Sequence, residues 1–390
     1  MASKQKIRWS FNWLINALKF LSCYLWERKL FSFVLCLLLI FGTLMLAAFL
    51  PSEHSFEGNL TVGEMSFTYA GQGEKLFLYT IRGIKSLEIE GQQTLSFTGK
   101  FENQSMPELN QIKTLKVEAI INQKNDKNIL LIESSKSDIE LTELRLQSQT
   151  KINKLSYDIY RNKLAFSLSN TQKQTKANIL QLALGEQPLR VSLEGYYQLK
   201  NEHNLPIGLG KKRQLEFNLT PNDGQFKLNL ANPVSITLQT PAPINNEANQ
   251  WFRGKLEVKE VQFQKLDRTG SDQNDDLGVS TILNGTVRMA EEEREIKENQ
   301  FLIVEEPGIK LIRSLNIDPK KGLEVRIAGK SKLIQIGLDQ KFPVSKIRAS
   351  WLDEVLPRDA IISLISFSAA SFIYLLSFII DYIAKSSTKP

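Results

Sequence analysis

The residues able to do chemistry are few, and their types exclude more than they nominate. The chain has two histidines, His54 and His203, and two cysteines, Cys23 and Cys36. A Ser-His-Asp or Cys-His triad needs an imidazole beside its nucleophile, and a His-rich metal site needs several, so this composition gives no basis for either. No glycine-rich phosphate loop and no paired-histidine helix occurs. Two carboxylates converging from distant strands could hydrolyse a glycosidic bond, but no local pattern nominates a pair.

Two constellations carry more. The segment Asp272-Gln-Asn-Asp-Asp-Leu-Gly278 sets oxygen-bearing side chains at Asp272, Asn274 and Asp276, an alternation that wraps a chain around calcium. Its glycine falls one place late for an EF-hand, and Leu283 stands where the bidentate glutamate belongs. Calcium is therefore the one cofactor candidate, set against a plain acidic loop; no other cofactor is expected. The second constellation is Ser363, Ser366, Ala370, Tyr374, Ser377 and Asp381, spaced three or four apart and so on one helical face. Small and hydroxylated faces let helices approach closely. One reading packs this seam against Gly42, Thr43 and Ala47 of an upstream apolar segment. The other makes it a self-association or pore-facing seam with Asp381 at its mouth, where acids favour cations.

The elements that must position these residues begin with two apolar runs. Residues 31–50 carry no charge and have the roughly 20 residues that cross a hydrocarbon core, and Pro51 ends them. The run is longer than an ordinary signal-peptide core and no A-x-A site follows, which argues against cleavage. The second run, 360–381, is interrupted by serines, whose hydroxyls can bond to carbonyls one turn back, and it lacks charge until Asp381. Before the first run lie Lys4, Lys6, Arg8, Lys19, Arg28 and Lys29 against Glu27 alone, and after the second lie Lys385 and Lys389. Basic flanks collect on the cytoplasmic side, so both termini are expected there, with 382–390 as a short cytoplasmic tail. Setting aside those eight basic residues, Glu27 and Asp381 leaves 41 of the 49 basic and 40 of the 42 acidic residues. The net charge of +7 is thus a property of the tails, and a nucleic-acid partner is not expected.

Within residues 1–30, Ile7, Phe11, Leu14, Leu18, Leu21 and Leu25 fall on one helical face, with Trp9, Trp13 and Trp26 interleaved among the basic residues. This pattern predicts a helix lying in the headgroup layer, anchored by the indoles and by Lys4, Lys6, Arg8, Lys19, Arg28 and Lys29. Docking to a cytoplasmic partner is the competing reading. Both cysteines precede residue 37, so the remainder holds no disulfide. A domain of roughly 300 residues can stabilise itself by apolar burial. That points to a bacterial inner membrane, or a thylakoid-type one, with the large domain periplasmic or lumenal. The Asn-x-Ser/Thr patterns at Asn59, Asn103, Asn218 and Asn284 are read as chance products of an Asn- and Thr-rich domain.

Between the runs the dominant period is two, as in Leu60-Thr-Val-Gly-Glu-Met-Ser-Phe and Lys255-Leu-Glu-Val-Lys-Glu-Val-Gln-Phe263, which predicts half-buried antiparallel strands. Turn signals at Asn222-Asp-Gly224 and Asp318-Pro-Lys-Lys-Gly322 precede strand-like runs. The one helix-like stretch between the runs is 177–184. The mixed-charge run 291–298 reads as a hairpin tip or short helix. The Pro- and Asn-rich segment 241–249 sets a boundary between a first block, 51–242, and a second, 243–356. An internal echo of Ile84-Lys-Ser-Leu-Glu-Ile-Glu90 in Ile312-Arg-Ser-Leu-Asn-Ile-Asp318, each followed by a strand ending in Gly-Lys, suggests related halves. The expected fold is an all-β outer domain, one antiparallel sandwich or two related ones, flanked by two transmembrane helices. The expected function is a non-enzymatic envelope scaffold or assembly component that binds a partner or polymer. Its expected partners are the bilayer and a protein partner or further copies of itself. The alternative is an oligomeric channel or transport component gated by the outer domain, with a hydrolase as the third class.

Overall fold

In the computed structural model the described residues are 36–37, 39–120, 128–136, 138–170, 176–207, 212–222, 224–241, 249–267, 277–318, 321–339 and 341–387. The chain divides into two compact units, Met1–His54 with Arg348–Pro390, and Ser55–Ile347.

The described residues of the first unit include two helices. Among its described residues Leu39–Phe49 forms a short apolar helix, α1, and Arg358–Ser387 a long one, α2. Within α2, Arg358–Ser377 is the one stretch among the described residues long and apolar enough to cross a membrane. The two helices meet through Phe41 and Phe367, whose rings lie edge to face with centroids 5.9 Å apart. Phe41 lies nine residues before Leu50 and Phe367 nine residues after Arg358, so at about 1.5 Å per residue both rings sit at the same depth of an antiparallel pair.

The helix ends are joined by a clasp of backbone bonds. Ser52 N donates to Ala349 O (3.1 Å), Trp351 N donates to Leu50 O (3.1 Å), and Pro51 bridges Ser350. Asp353 Oδ2 accepts from both Ser350 N (2.5 Å) and Ser350 Oγ (2.6 Å), which caps a 3-10 turn at Trp351–Glu354. His54 Nε2 lies 2.9 Å from the Ser350 carbonyl, and Arg348 donates to Phe49 O at 3.2 Å.

The second unit is mostly antiparallel β-sheet. Its largest sheet runs in the order β13 (Lys212–Pro221), β5 (Thr94–Glu102), β6 (Thr114–Ala119), β12 (Leu189–Lys200), β7 (Ile129–Ser134), β4 (Ser86–Glu90), β15 (Val234–Gln239), β10 (Lys163–Asn170), β9 (Thr150–Asp158), β2 (Glu64–Tyr69), β16 (Asn249–Gln262), β22 (Gly308–Asp318), β23 (Gly322–Ser331), β1 (His54–Val62), β19 (Ile282–Met289) and β20 (Glu292–Ile296). β13 also pairs with β12, which closes β13, β5, β6 and β12 into a ring. A smaller sheet runs β14 (Gln225–Leu230), β11 (Asn178–Ala183), β8 (Ile139–Leu146), β3 (Lys75–Ile84). β17 (Gln264–Asp267) pairs with β18 (Leu277–Ser280), and β21 (Phe301–Val304), β24 (Leu333–Gly337) and β25 (Ser345–Arg348) form a three-stranded sheet.

Alternation decides which side of each strand is buried. In β5 every second residue, Leu95, Phe97, Gly99 and Phe101, turns inward. The small sheet packs on the large one in a sandwich-like arrangement. Phe77 of β3 meets Phe67 of β2 (centroids 5.7 Å) and Phe252 of β16 (6.2 Å), and Phe226 of β14 stacks on Phe97 of β5 (5.1 Å).

Several expectations change on inspection of these pairings. Residues 177–184 hold a strand, β11, because Asn178, Leu180 and Leu182 alternate inward between β8 and β14. Asn222-Asp-Gly224 turns the chain but closes no hairpin: β13 stays in the large sheet while β14 crosses to the small one. By contrast Asp318 and Gly322 close the β22–β23 hairpin, and the mixed-charge run is the β19–β20 hairpin, turning at Ala290 and Glu291, both with positive φ. The internal echo is not a shared substructure, since β22 pairs with β23 whereas β4 pairs with β7 and β15, not with β5. The two sequence blocks also share one sheet. β2 pairs with β16, and β1 lies between β23 and β19.

Candidate functional site

A polar concavity lies on the sheet face formed by β22, β23, β1, β19 and β20. Asn59 stands opposite Thr286 and Thr61 opposite Asn284. The tripeptides Asn59-Leu-Thr61 and Asn284-Gly-Thr286 thus lie side by side and antiparallel. The period of two turns all four polar side chains to one face, and Leu60 and Gly285 to the other. A Cβ on Gly285 would lie 2.6 Å from the Asn59 carbonyl oxygen and 2.7 Å from Leu60 Cδ2, so only glycine lets the two strands approach this closely. Neighbouring strands extend the polar face, with Thr286 opposite Glu295, Ser314 opposite Arg326, and Asn316 opposite Glu324. Sheet twist bends it into a groove of about 890 Å³.

The groove is fixed by bonds among its own residues. Thr61, buried, donates from Oγ1 to Asn284 Oδ1 at 3.0 Å. Beside it Arg326 donates to Glu57 Oε2 at 2.8 Å, and Arg313 Nη1 lies 3.0 Å from Glu57 Oε1. The hydrogen bond from Arg326, reinforced by the charges of Arg313 and Arg326, holds the Glu57 carboxyl below the usual carboxylate range. Asn316 Oδ1 is buried and accepts no hydrogen bond among the described residues. A buried acceptor of this kind is costly unless a donor reaches it. Among the described residues, amides, hydroxyls, three carboxylates (Glu293, Glu295, Glu324) and the cations Lys321 and Arg326 line the groove, and no aromatic ring does. Such a surface can exchange hydrogen bonds with a hydroxylated or peptide ligand.

A second concavity of about 780 Å³ is bounded by the end of β16, by β21 and by the turn at Pro307, with Phe263, Phe301 and Ile303 among its walls. Neither histidine lies in either concavity: His54 belongs to the clasp, and His203 sits in an exposed turn with its backbone N bonded to Asn201 Oδ1.

The residues singled out from sequence fall in three places. Asp272, Asn274 and Asp276 lie outside the described residues, as do Trp9, Trp13, Trp26, Lys4, Lys6, Arg8, Lys19, Arg28 and Lys29. Among the described residues no three His, Cys, Asp or Glu side chains gather as metal ligands. Ser363, Ser366, Ala370, Tyr374 and Ser377 all lie on the exposed side of α2, and the side chain of Asp381 is outside the described set. Ser366 Oγ and Ser377 Oγ donate to the carbonyls of Ile362 and Ile373 on the same helix. The buried stripe of α2 is instead Ile361 and Ser368, flanked by the half-buried Leu364, Ile365 and Leu375. Gly42 of α1 faces open space. The groove itself escaped notice because its residues read as the solvent side of ordinary strands. Its one signal was the pair of Asn-x-Thr tripeptides, which only the strand register brings together.

No protein-family model matches this chain, and no curated protein matches it either.

Proposed function

We propose that the chain is a two-pass membrane-anchored envelope protein whose β-unit, on the side opposite the cytoplasmic tails, binds a hydroxyl-rich polymer or a partner chain through the polar groove. The observation that carries the reading is the groove's composition: polar side chains from five adjacent strands converge, and one acceptor among them, Asn316 Oδ1, meets no donor among the described residues. The anchor is supported by the clasp, which joins the end of one apolar helix to the approach to the other, and by the matched depth of Phe41 and Phe367.

The test is binding of envelope polysaccharide fractions and of solubilised envelope proteins to the purified full-length chain, compared with Thr286→Trp, which fills the groove from a half-buried surface position. Loss of binding with an unchanged melting temperature is expected. Equal binding by both proteins removes the groove from the reading, and protease access to the β-unit only from the cytoplasmic side overturns the topology.

The exposed seam of α2 favours a second reading, an oligomeric channel or transport component, since that face is open to another protomer. A monomeric mass in detergent and no ion flux in reconstituted vesicles would remove it.

A further inference from the structure

Among the described residues outside the helices, most of the large apolar side chains left in solvent lie late in the chain. Leu338, Phe342 and Val344 are 66 %, 74 % and 76 % exposed, and Trp351 and Val355 follow at 54 % and 68 %. The first three lie in the tip between β24 and β25, where bonds hold described residues on both sides of the turn. Val344 N donates to Ile336 O at 2.8 Å and Lys341 N donates to Asp339 Oδ1 at 2.7 Å. A Cβ on Gly337 would lie 2.8 Å from Pro343 Cα and 2.9 Å from Phe342 O, so the chain doubles back as closely as backbones allow. Three apolar side chains thus stand outward on a close turn, where water disfavours them.

We infer that this tip is a membrane-docking element that inserts Leu338, Phe342 and Val344 into the headgroup boundary of the same bilayer that α2 crosses. The inference rests on the membrane reading above. Exposed Lys341 and Lys346 flank the apolar residues, the pairing of apolar insertion with cationic contact that anionic lipid surfaces reward. Six residues separate Val344 from Ser350 of the clasp, a reach of at most about 20 Å. Trp351, exposed beside the clasp, is the residue type that anchors at the interface.

The experiment uses the full-length chain in anionic liposomes, with Cys23→Ser and Cys36→Ser as background and a polarity-sensitive fluorophore attached after Phe342→Cys or, independently, Val344→Cys. Labels after Tyr160→Cys, a 92 % exposed position elsewhere on the β-unit, and after Phe372→Cys in α2 are the references. Labels at 342 and 344 should emit to the blue of the label at 160, be quenched by spin-labelled lipid, and show several-fold weaker quenching by aqueous iodide. Iodide quenching equal to that at 160 overturns the inference. Protection from iodide without quenching by spin-labelled lipid also overturns it, because a protein surface then covers the tip. The label in α2 separates the two levels: if it is quenched by lipid while 342 is not, only the docking element fails, and if it too is untouched by lipid, the membrane reading fails.

Discussion

Replacing Phe77 by alanine should cost the β-unit about 3–5 kcal/mol, the range for emptying a buried phenylalanine site. Phe77 is fully buried and joins the small sheet to the large one through the rings of Phe67 and Phe252. A phenylalanine buries roughly 150–250 Å², which at about 25 cal/mol per Å² gives roughly 4–6 kcal/mol and agrees with that range. Such a loss is a large share of a typical stability of about 5–15 kcal/mol. At about 2–4 °C per kcal/mol for a large domain, the melting temperature should fall by roughly 6–20 °C. Thermal unfolding of the purified full-length chain, followed by circular dichroism in the strand region, measures it. Phe77→Leu should recover most of the loss. A double-mutant cycle with Phe67→Leu should return a coupling of about 0.5–1.5 kcal/mol for the edge-on pair. A loss below about 1 kcal/mol for Phe77→Ala, or no coupling, would refute the claim that the two sheets are fastened through this ring.

Three further outcomes follow from named contacts. Arg145 bonds both Glu74 (2.9 Å) and Glu143 (2.6 Å) and holds both carboxyls below their ordinary values. Depressed carboxylates stabilise above the unfolded pKa, and this is lost as pH falls through the folded values. Arg145→Ala should therefore lower the melting temperature at pH 7 but not at strongly acid pH, by about 1 kcal/mol or less because the groups are about a third exposed or more. Burial pushes the Glu64 carboxyl up against the pull of Lys154 and Lys265. Its contribution is present below the unfolded pKa and lost as pH rises through the folded one, so Glu64→Gln should raise the melting temperature at pH 7 and leave it unchanged near pH 3. Ser368 is fully buried in α2 while Ala370 is exposed. Ser368→Leu should destabilise the helix pair by about 1–3 kcal/mol through overpacking, whereas Ala370→Leu should leave the melting temperature intact and alter only the mass in detergent.

Much of the β-unit was legible as alternation, because a half-buried strand repeats every two residues whatever its partners. Partners are another matter. In β3 a bulge between Leu76 and Leu78 brings Phe77 inward beside Leu78, and one extra residue in a strand leaves no mark on composition. β11 looked helical since six residues are too few for periods of 2 and 3.6 to separate. The crossing after Asn222-Asp-Gly224 depends on which sheet can bury Phe226 against Phe97, a contact between residues far apart in the chain. The groove was invisible for the same reason: each Asn-x-Thr tripeptide is unremarkable until its counterpart, more than two hundred positions away, lies opposite. On α2 the spacing of the serines does not say what their face meets, and the stripe that turns inward is that of Ile361 and Ser368.

The position of β1 has a consequence for biogenesis. Its sheet neighbours are β19 and β23, and about 220 residues separate Val62 from Ile282, where the nearer of them in sequence begins. At a synthesis rate of ~5–20 residues per second, the first strand waits on the order of 10–45 s for any partner. During that interval its alternating apolar face and both unpaired edges are available to other nascent chains, a hazard that the finished sheet does not carry. A substitution such as Asn59→Lys on the solvent side of β1 should then raise the yield of folded protein while leaving its melting temperature unchanged, because what it protects is the waiting chain.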